Sequence, residues 1–122
     1  MRISRSLPAE AASVTAARHW LRSWCAGGTG VELCDDAELV LAEMVANAVR
    51  HAGSPMDVEI GPAPTGDGIW LCVSDRSPRP VQPREVDLMA EDGRGLQLID
   101  LLSSRWGVEA DRSGKRVWAE LE

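Results

Sequence analysis

The sequence has 122 residues, of which 44% are hydrophobic, and no internal repeat or linker divides it, so residues 1–122 are expected to form one domain. A formal net charge of −6 and a pI of about 4.9 argue against direct nucleic-acid binding through a basic surface. No apolar run is long enough to span a membrane, and the opening residues MRISRSLPAE lack the apolar middle of a signal peptide, so we expect a cytosolic protein. The three cysteines show no metal-binding spacing and are expected to be reduced.

The first part of the chain is predicted to form a short edge strand and a helix. The strand covers Met1–Arg5, with Ile3 pointing inward. Ser6 is the candidate N-cap of the helix and Pro8 lies in its first turn, positions that both residue types favour. The helix is expected to end by Ala26, because the Gly-Gly-Thr-Gly stretch that follows cannot sustain it.

A second helix is predicted over Asp35–Ala52, in the stretch DDAELVLAEMVANAVRHA. Apolar residues, Leu39 among them, occupy most of its circumference, which predicts a helix that is buried nearly all round. Polar residues spaced by seven, four and three positions form one narrow stripe along it, and buried polar groups require partners. The stripe is therefore expected to face a cavity that holds a polar ligand. Its members are Asp36, Glu43, Asn47 and Arg50, with His51 at the edge.

The next part of the chain is predicted to contain two strands and a long loop. Alternating hydrophobicity predicts a half-buried strand over Met56–Gly61, and a second, more apolar strand follows over Ile69–Asp75. Residues 76–92 contain three prolines, so they cannot form a regular helix or central strand throughout. A loop of this length in a small domain is usually functional or disordered.

The last part of the chain is predicted to contain a helix and a hairpin. Gly93-Arg94-Gly95 opens the helix Leu96–Leu102, and the hairpin joins Arg105–Ala110 to Lys115–Leu121. The order of elements predicts an α/β (α+β) fold. We expect a two-layer sandwich, with a mixed, mostly antiparallel sheet and three helices on one face.

The helix stripe contains the first candidate site. Glu43 and Asn47 lie one turn apart and offer the oxygen ligands that Mg²⁺ prefers, and Glu43 could also accept a proton. The alternative is a polar helix edge that faces solvent, since an E-x-x-x-N pair often arises by chance.

Two further candidates lie later in the chain. Asp75 shares a strand face with inward apolar residues, where it could accept a hydrogen bond from an amine such as that of adenine; the alternative is an Asp that caps the turn before Ser77-Pro78. Gly93-Arg94-Gly95 would allow backbone N–H groups and an arginine to approach an anion; the alternative is a loop hinge.

The opposite face of the predicted sheet also carries apolar side chains. Trp70 and Cys72 lie on this face, with Trp118 as a further candidate. An exposed apolar face would serve as a partner site or a homodimer interface, whereas a terminal segment could equally cover it.

The order of three motifs is more specific than any one of them. E-M-V-A-N-A on a helix, V-S-D at a strand end and G-R-G-L at a later helix strongly resemble the ATP-binding domain of the GHKL superfamily. That superfamily includes gyrase-type ATPases, a class of heat-shock chaperones, histidine kinases and mismatch-repair ATPases. The small size of the chain, A-R-H-W-L-R in the first helix and E-D-G-R-G-L-Q-L-I before the hairpin are similar to the anti-sigma-factor serine kinase branch.

The resemblance implies a role for each candidate residue. Asn47 would coordinate Mg²⁺ on the ATP phosphates, Glu43 would be the general base, and Arg50 would approach the phosphates. Asp75 would recognise the adenine amine. Residues 76–92 would form the ATP lid.

The resemblance also assigns the third motif, and the chain departs from the family at one point. Gly93, Arg94 and Gly95 would close over the phosphates, and Leu96 would start the following helix. The superfamily often has D-x-G-x-G after the strand, whereas this chain has a serine and a stiff proline, Ser77-Pro78, which alters the entry to the lid.

The implied function is that of a Mg-ATP-dependent serine/threonine protein kinase. Such a protein would sequester a sigma factor and phosphorylate a STAS-type anti-anti-sigma protein. A catalytically silent ATP-binding module, which acts by nucleotide-dependent partner binding, is the alternative. An interaction domain that retains only the fold is a third hypothesis.

Overall fold

The computed structural model describes residues 2–51, 53–75 and 93–122, the last range with its side chains from 96 to 110 and from 112 to 122. Within these ranges, eight elements follow one another in the order β1, α1, α2, β2, β3, α3, β4 and β5. Their bounds are Ile3–Leu7, Ala12–Cys25, Val31–His51, Met56–Pro62, Ile69–Asp75, Gly93–Leu102, Arg105–Asp111 and Gly114–Leu121.

The five strands form one sheet in the order β1-β2-β3-β5-β4. Every pairing among the described strands is antiparallel, so the sheet lacks the parallel pair that a mixed sheet would contain there. The helices pack against one face of this sheet, and the predicted α+β two-layer sandwich is confirmed. None of the helices in the described ranges is both long and apolar enough to cross a membrane.

The hydrophobic core lies between the helices and the inner face of the sheet. Alternate residues of β2 and β3 point into it, as the period of two predicts for strands with one buried face. The core includes Ala17, Leu21, Val40, Leu41, Met44, Val45, Met56, Val58, Ile60, Ile69, Leu71, Val73, Ile99, Val117, Ala119 and Leu121.

The N-terminal region differs from the prediction. Ser6 is not a helix cap, because it lies in β1 and pairs with Asp57 of β2. The pairing of Ser6 within the sheet therefore overrides its local preference for the N-cap of a helix. The helix α1 begins at Ala12, and Ser13 supplies the local hydroxyl contact instead by donating a hydrogen bond to the carbonyl of Pro8 at 2.6 Å. Ile3 pairs with the core residue Ile60, so it lies on the inner face of the sheet as predicted, and it stays 36% exposed because β1 is an edge strand.

The helix α2 begins four residues earlier than predicted, at Val31. The prediction that it is buried nearly all round is wrong at Leu39, whose side chain is 51% exposed. The helix contacts α1, α3, β3 and β5, and Leu39 lies on the remaining side. The helix α3 also begins earlier than predicted, at Gly93 rather than Leu96.

The outer face of the sheet is closed by its own side chains. The indole rings of Trp70 and Trp118 stack with their centroids 5.5 Å apart and their planes inclined by 16°. Arg2 places its guanidinium 4.3 Å from the Trp70 ring, and Arg105 lies 5.7 Å from the Trp118 ring. Trp70 is only 7% exposed, so of the two alternatives the structure favours a covered face over an open apolar one.

Two glycines make room for this layer. A Cβ atom on Gly61 would lie 2.8 Å from the Cα of Arg2, and one on Gly107 would lie 2.8 Å from the indole nitrogen of Trp118. The bare backbone at these positions therefore allows Arg2 to reach Trp70 and allows the Trp118 ring to lie across β4.

Candidate functional site

The predicted site residues of α2 and β3 lie at the same edge of the sheet. Only residues 52–55 separate the end of α2 at His51 from the start of β2 at Met56, so these two residues lie within about 18 Å of each other. Met56 pairs with Asp75, the last residue of β3. The C-terminal ends of α2 and β3 thus meet at one edge.

Asn47 is the buried polar residue of α2 at this edge. Its side chain is 3% exposed, and its amide oxygen Oδ1 accepts a hydrogen bond from the Nη2 of Arg50, one turn later. This contact satisfies the buried amide oxygen. The two residues were predicted as members of one stripe, and the structure brings them into direct contact.

Glu43 lies one turn before Asn47 and is half-buried. A carboxylate and an amide oxygen on successive turns suit Mg²⁺, which prefers oxygen ligands and retains several waters when it bridges to phosphates. The described residues contain no group of three or more His, Cys, Asp or Glu side chains that could hold a metal ion by themselves. Two oxygen donors would leave most coordination positions of such an ion to water and phosphate oxygens.

Asp75 lies on the inner face of β3, together with Ile69, Leu71 and Val73, as the strand parity predicts. Its side chain is 6% exposed, and its Oδ1 accepts a hydrogen bond from the backbone N–H of Lys115 at 3.2 Å. The carboxylate is thereby tied to β5 across the sheet. This contact argues against a role limited to capping the turn before Ser77-Pro78, which lie outside the described residues.

Gly114 is a residue of this site that sequence reasoning missed. Its φ is +139°, and a Cβ atom there would lie 2.8 Å from the Oδ1 of Asp75 and closer still to the Asp75 carbonyl oxygen. Only glycine allows the hairpin to approach the carboxylate so closely. The Ser-Gly dipeptide was a signal for a turn, and nothing in the sequence alone connects that turn with Asp75.

A small polar cavity of about 160 Å³ opens beside Asp75. Ligand sites for whole small molecules usually measure about 300–1,000 Å³, so this cavity suits water-sized groups rather than a nucleotide. Both acidic and basic residues line this cavity, so the surroundings of Asp75 are polar on this side. Its lining consists of Ser74, Asp75, Glu109, Ser113, Gly114, Lys115 and Arg116.

The third predicted motif lies at the N-terminus of α3. The backbone of Gly93, Arg94 and Gly95 forms the first turn of this helix, where N–H groups without an intrahelical partner are expected. Leu96 follows, half-buried, and packs against the hydrophobic core. The predicted lid, residues 76–92, lies outside the described residues. Because α2 packs against both β3 and α3, the three motifs lie on elements that contact one another.

Comparisons with known proteins agree with this architecture. A sequence model of the histidine kinase-like ATPase domain matches residues 7–121. The chain is also similar to an uncharacterized protein of Streptomyces coelicolor, with 34% identity over 84 residues that represent 66% of this chain and 79% of the relative.

Proposed function

The chain belongs to the histidine kinase-like ATPase domain family, and we propose that it is a Mg-ATP-dependent serine/threonine protein kinase of the anti-sigma-factor type. Its substrate would be a serine or threonine of a STAS-type anti-anti-sigma protein, and it would also bind a sigma factor. The observation that carries the proposal is the buried Asn47, which contacts Arg50 at the sheet edge where Asp75 also lies.

The nucleotide would be recognised at two places along this edge of the sheet, at Asp75 and at Asn47. Asp75 accepts a hydrogen bond from the amine of adenine, while the N–H of Lys115 fixes the orientation of its carboxylate. At the other end, Asn47 would hold the Mg²⁺ through its Oδ1, the atom that accepts the hydrogen bond from Arg50 in this structure. Arg50, which is exposed, then turns toward the phosphates and adds positive charge.

The phosphoryl transfer itself would use Glu43. When bound, Mg²⁺ neutralises charge on the β- and γ-phosphates. The carboxylate of Glu43 accepts the proton of the attacking hydroxyl, whose oxygen forms a bond with the γ-phosphorus. The bond between the γ-phosphorus and its bridging oxygen breaks, and ADP leaves. The backbone N–H groups at the start of α3 stabilise the charge of the phosphates.

The proposal is tested by incubating the purified protein with γ-labelled ATP, Mg²⁺ and a cognate STAS-domain protein. We expect label on the STAS protein, and we expect Glu43→Gln to lower the rate by about 10²-fold or more while ATP binding persists. The matched control is Glu32→Gln, an exposed position in the first turn of the same helix, which should transfer label at the wild-type rate.

The second candidate is an ATP-binding module without catalysis, and the Ser77-Pro78 departure after the recognition strand favours it. In that case the Glu43→Gln variant retains partner regulation, and Asn47→Ala abolishes it together with ATP binding. Absence of label despite clear ATP binding would therefore replace the kinase proposal with this one. Absence of ATP binding by calorimetry would overturn both.

A further inference from the structure

A pair of buried cysteines lies between α1 and α2, away from the ATP site. Cys25 is the last residue of α1 and Cys34 lies in the first turn of α2. Their side chains are 6% and 3% exposed. Cys34 precedes Asn47 by 13 residues, which places it about 20 Å away along the helix axis.

The two thiols share one small cavity of about 200 Å³. A peroxide molecule has only two heavy atoms and fits into such a volume, since a water occupies about 30 Å³. The residues that line this cavity are Arg22, Cys25, Ala26, Thr29, Val31 and Cys34.

The loop between the helices holds the two cysteines in place. The carbonyl of Cys25 accepts hydrogen bonds from the N–H of Gly28 at 3.1 Å and from that of Thr29 at 2.9 Å. The N–H of Cys34 donates to the carbonyl of Gly30 at 3.0 Å. The loop between α1 and α2 is thus held by backbone hydrogen bonds at both of its ends.

Arg22 contacts one of the two thiols directly. Its Nη1 lies 3.8 Å from the sulfur of Cys34, while its Nη2 forms an ion pair with Asp35 at 2.6 Å. The geometry thus places a positively charged hydrogen-bond donor against the sulfur of Cys34. Burial, together with the neighbouring Cys34 thiol, raises the pKa of Cys25 to about 12, so Cys25 keeps its proton at neutral pH.

We propose that Cys25 and Cys34 form a redox modification site, in which hydrogen peroxide converts the two thiols into an intramolecular disulfide. The sulfur of Cys34 attacks one peroxide oxygen, the O–O bond breaks, and a sulfenic acid and a water are formed. The sulfur of Cys25 then attacks the sulfur of Cys34, the S–O bond breaks, and a second water leaves with the proton of the Cys25 thiol. Two thiols are oxidised and one hydrogen peroxide is reduced to two waters.

The bond would join the end of α1 to the start of α2. Because it lies far from Asn47 and Asp75, the proposal does not depend on nucleotide binding. The third cysteine, Cys72, lies on the outer face of the sheet, where its sulfur accepts a hydrogen bond from the Nε of Arg116 at 3.1 Å. It provides an internal reference for the test.

The test treats the folded protein with hydrogen peroxide, denatures it and alkylates the remaining thiols with N-ethylmaleimide. Intact mass is expected to show one alkyl group after oxidation, on Cys72, instead of three before it. Cleavage after Arg22 and after Glu32 should then yield the peptide with Cys25 linked to the peptide with Cys34. Cys72→Ser is the matched control and should form the same bond with no alkyl group left.

The order of the two steps is tested with the single variants. In Cys25→Ser, Cys34 should stop at the sulfenic acid, which dimedone traps, whereas Cys25 in Cys34→Ser should stay reduced under the same conditions. Three alkylated thiols after treatment, a bond to Cys72 or between chains, a bond that forms only in urea, or dimedone on Cys25 would each overturn the proposal.

Discussion

The carboxylate of Asp75 depends on a glycine that lies 39 positions away in the sequence. The hairpin reaches it through the N–H of Lys115, and the missing Cβ of Gly114 leaves the space for that approach. A carboxylate held in one orientation loses less entropy when it binds a ligand amine. The hairpin is therefore part of the proposed base-recognition site, although it provides no side chain to the proposed contact.

Substitution of Gly114 by Ala is expected to weaken ATP binding about tenfold, because the added methyl group displaces the carboxylate from its hydrogen bond. The measurement is calorimetric titration with Mg-ATP.

The control for this prediction is Gly28→Ala. Gly28 has a similar φ of +131°, but a Cβ there would meet nothing within 4 Å, so it reports backbone strain alone. Equal loss of affinity in the two variants would contradict the role that we assign to Gly114.

At the scale of elements, the outer sheet face is stabilised by a stack of side chains that crosses the strands. Trp70 of β3 and Trp118 of β5 form its centre, and Arg2 and Arg105 flank them. Aromatic pairs of this geometry contribute about 0.5–1.5 kcal/mol beyond their buried area. The stack thus links both edges of the sheet to its central strands.

The substitution Gly107→Ala is expected to lower the free energy of unfolding by about 1–3 kcal/mol, because its Cβ would overlap the Trp118 ring. Urea unfolding followed by tryptophan fluorescence measures this change. Gly30→Ala is the matched control, since its Cβ would meet nothing within 4 Å and its stability should change much less. A similar loss in the two variants would show that the stack does not depend on Gly107.

Some elements could be predicted from the sequence and others could not. The strand β3 was predicted with the bounds that the structure has, because a short, continuous apolar run that ends in Asp is typical of a buried strand. Ser6 was assigned to the wrong element, because its pairing with Asp57 is a contact across 51 positions that local patterns do not contain. The exposure of Leu39 could not be predicted either, because only the arrangement of neighbouring elements decides which side of α2 faces solvent.

At the scale of the whole molecule, the site combines segments that are distant in the sequence. The sequence indicated Glu43, Asn47 and Asp75 through helix spacing and strand parity. It could not indicate the contribution of Gly114 and Lys115, because that contribution arises from the pairing of β5 with β3. The placement of candidate residues within a helix or a strand is thus predictable from local patterns, whereas the groups that hold them in position require the fold.

Nucleotide binding is expected to stabilise the whole fold. At an ATP concentration of 100 times Kd, the free energy of unfolding should rise by about 2.7 kcal/mol, which corresponds to about 10 °C in Tm for a domain of this size. Differential scanning fluorimetry with Mg²⁺ measures the shift.

Two comparisons sharpen that measurement. GTP should give a smaller shift, because it presents a carbonyl where Asp75 requires an amine. Asn47→Ala should remove most of the ATP shift, and an unchanged shift in this variant would contradict the assignment of Asn47 to the phosphate side.

The position of β5 in the sheet has a consequence for synthesis on the ribosome. This strand is the last of the five in the chain, yet it lies between β3 and β4. While residues 114–121 have not emerged from the ribosome, β3 has no neighbour on one side, and its apolar run IWLCV presents unpaired backbone groups. The sheet therefore closes only after residues 114–121 have emerged, and until then the nascent chain is most vulnerable to aggregation at β3.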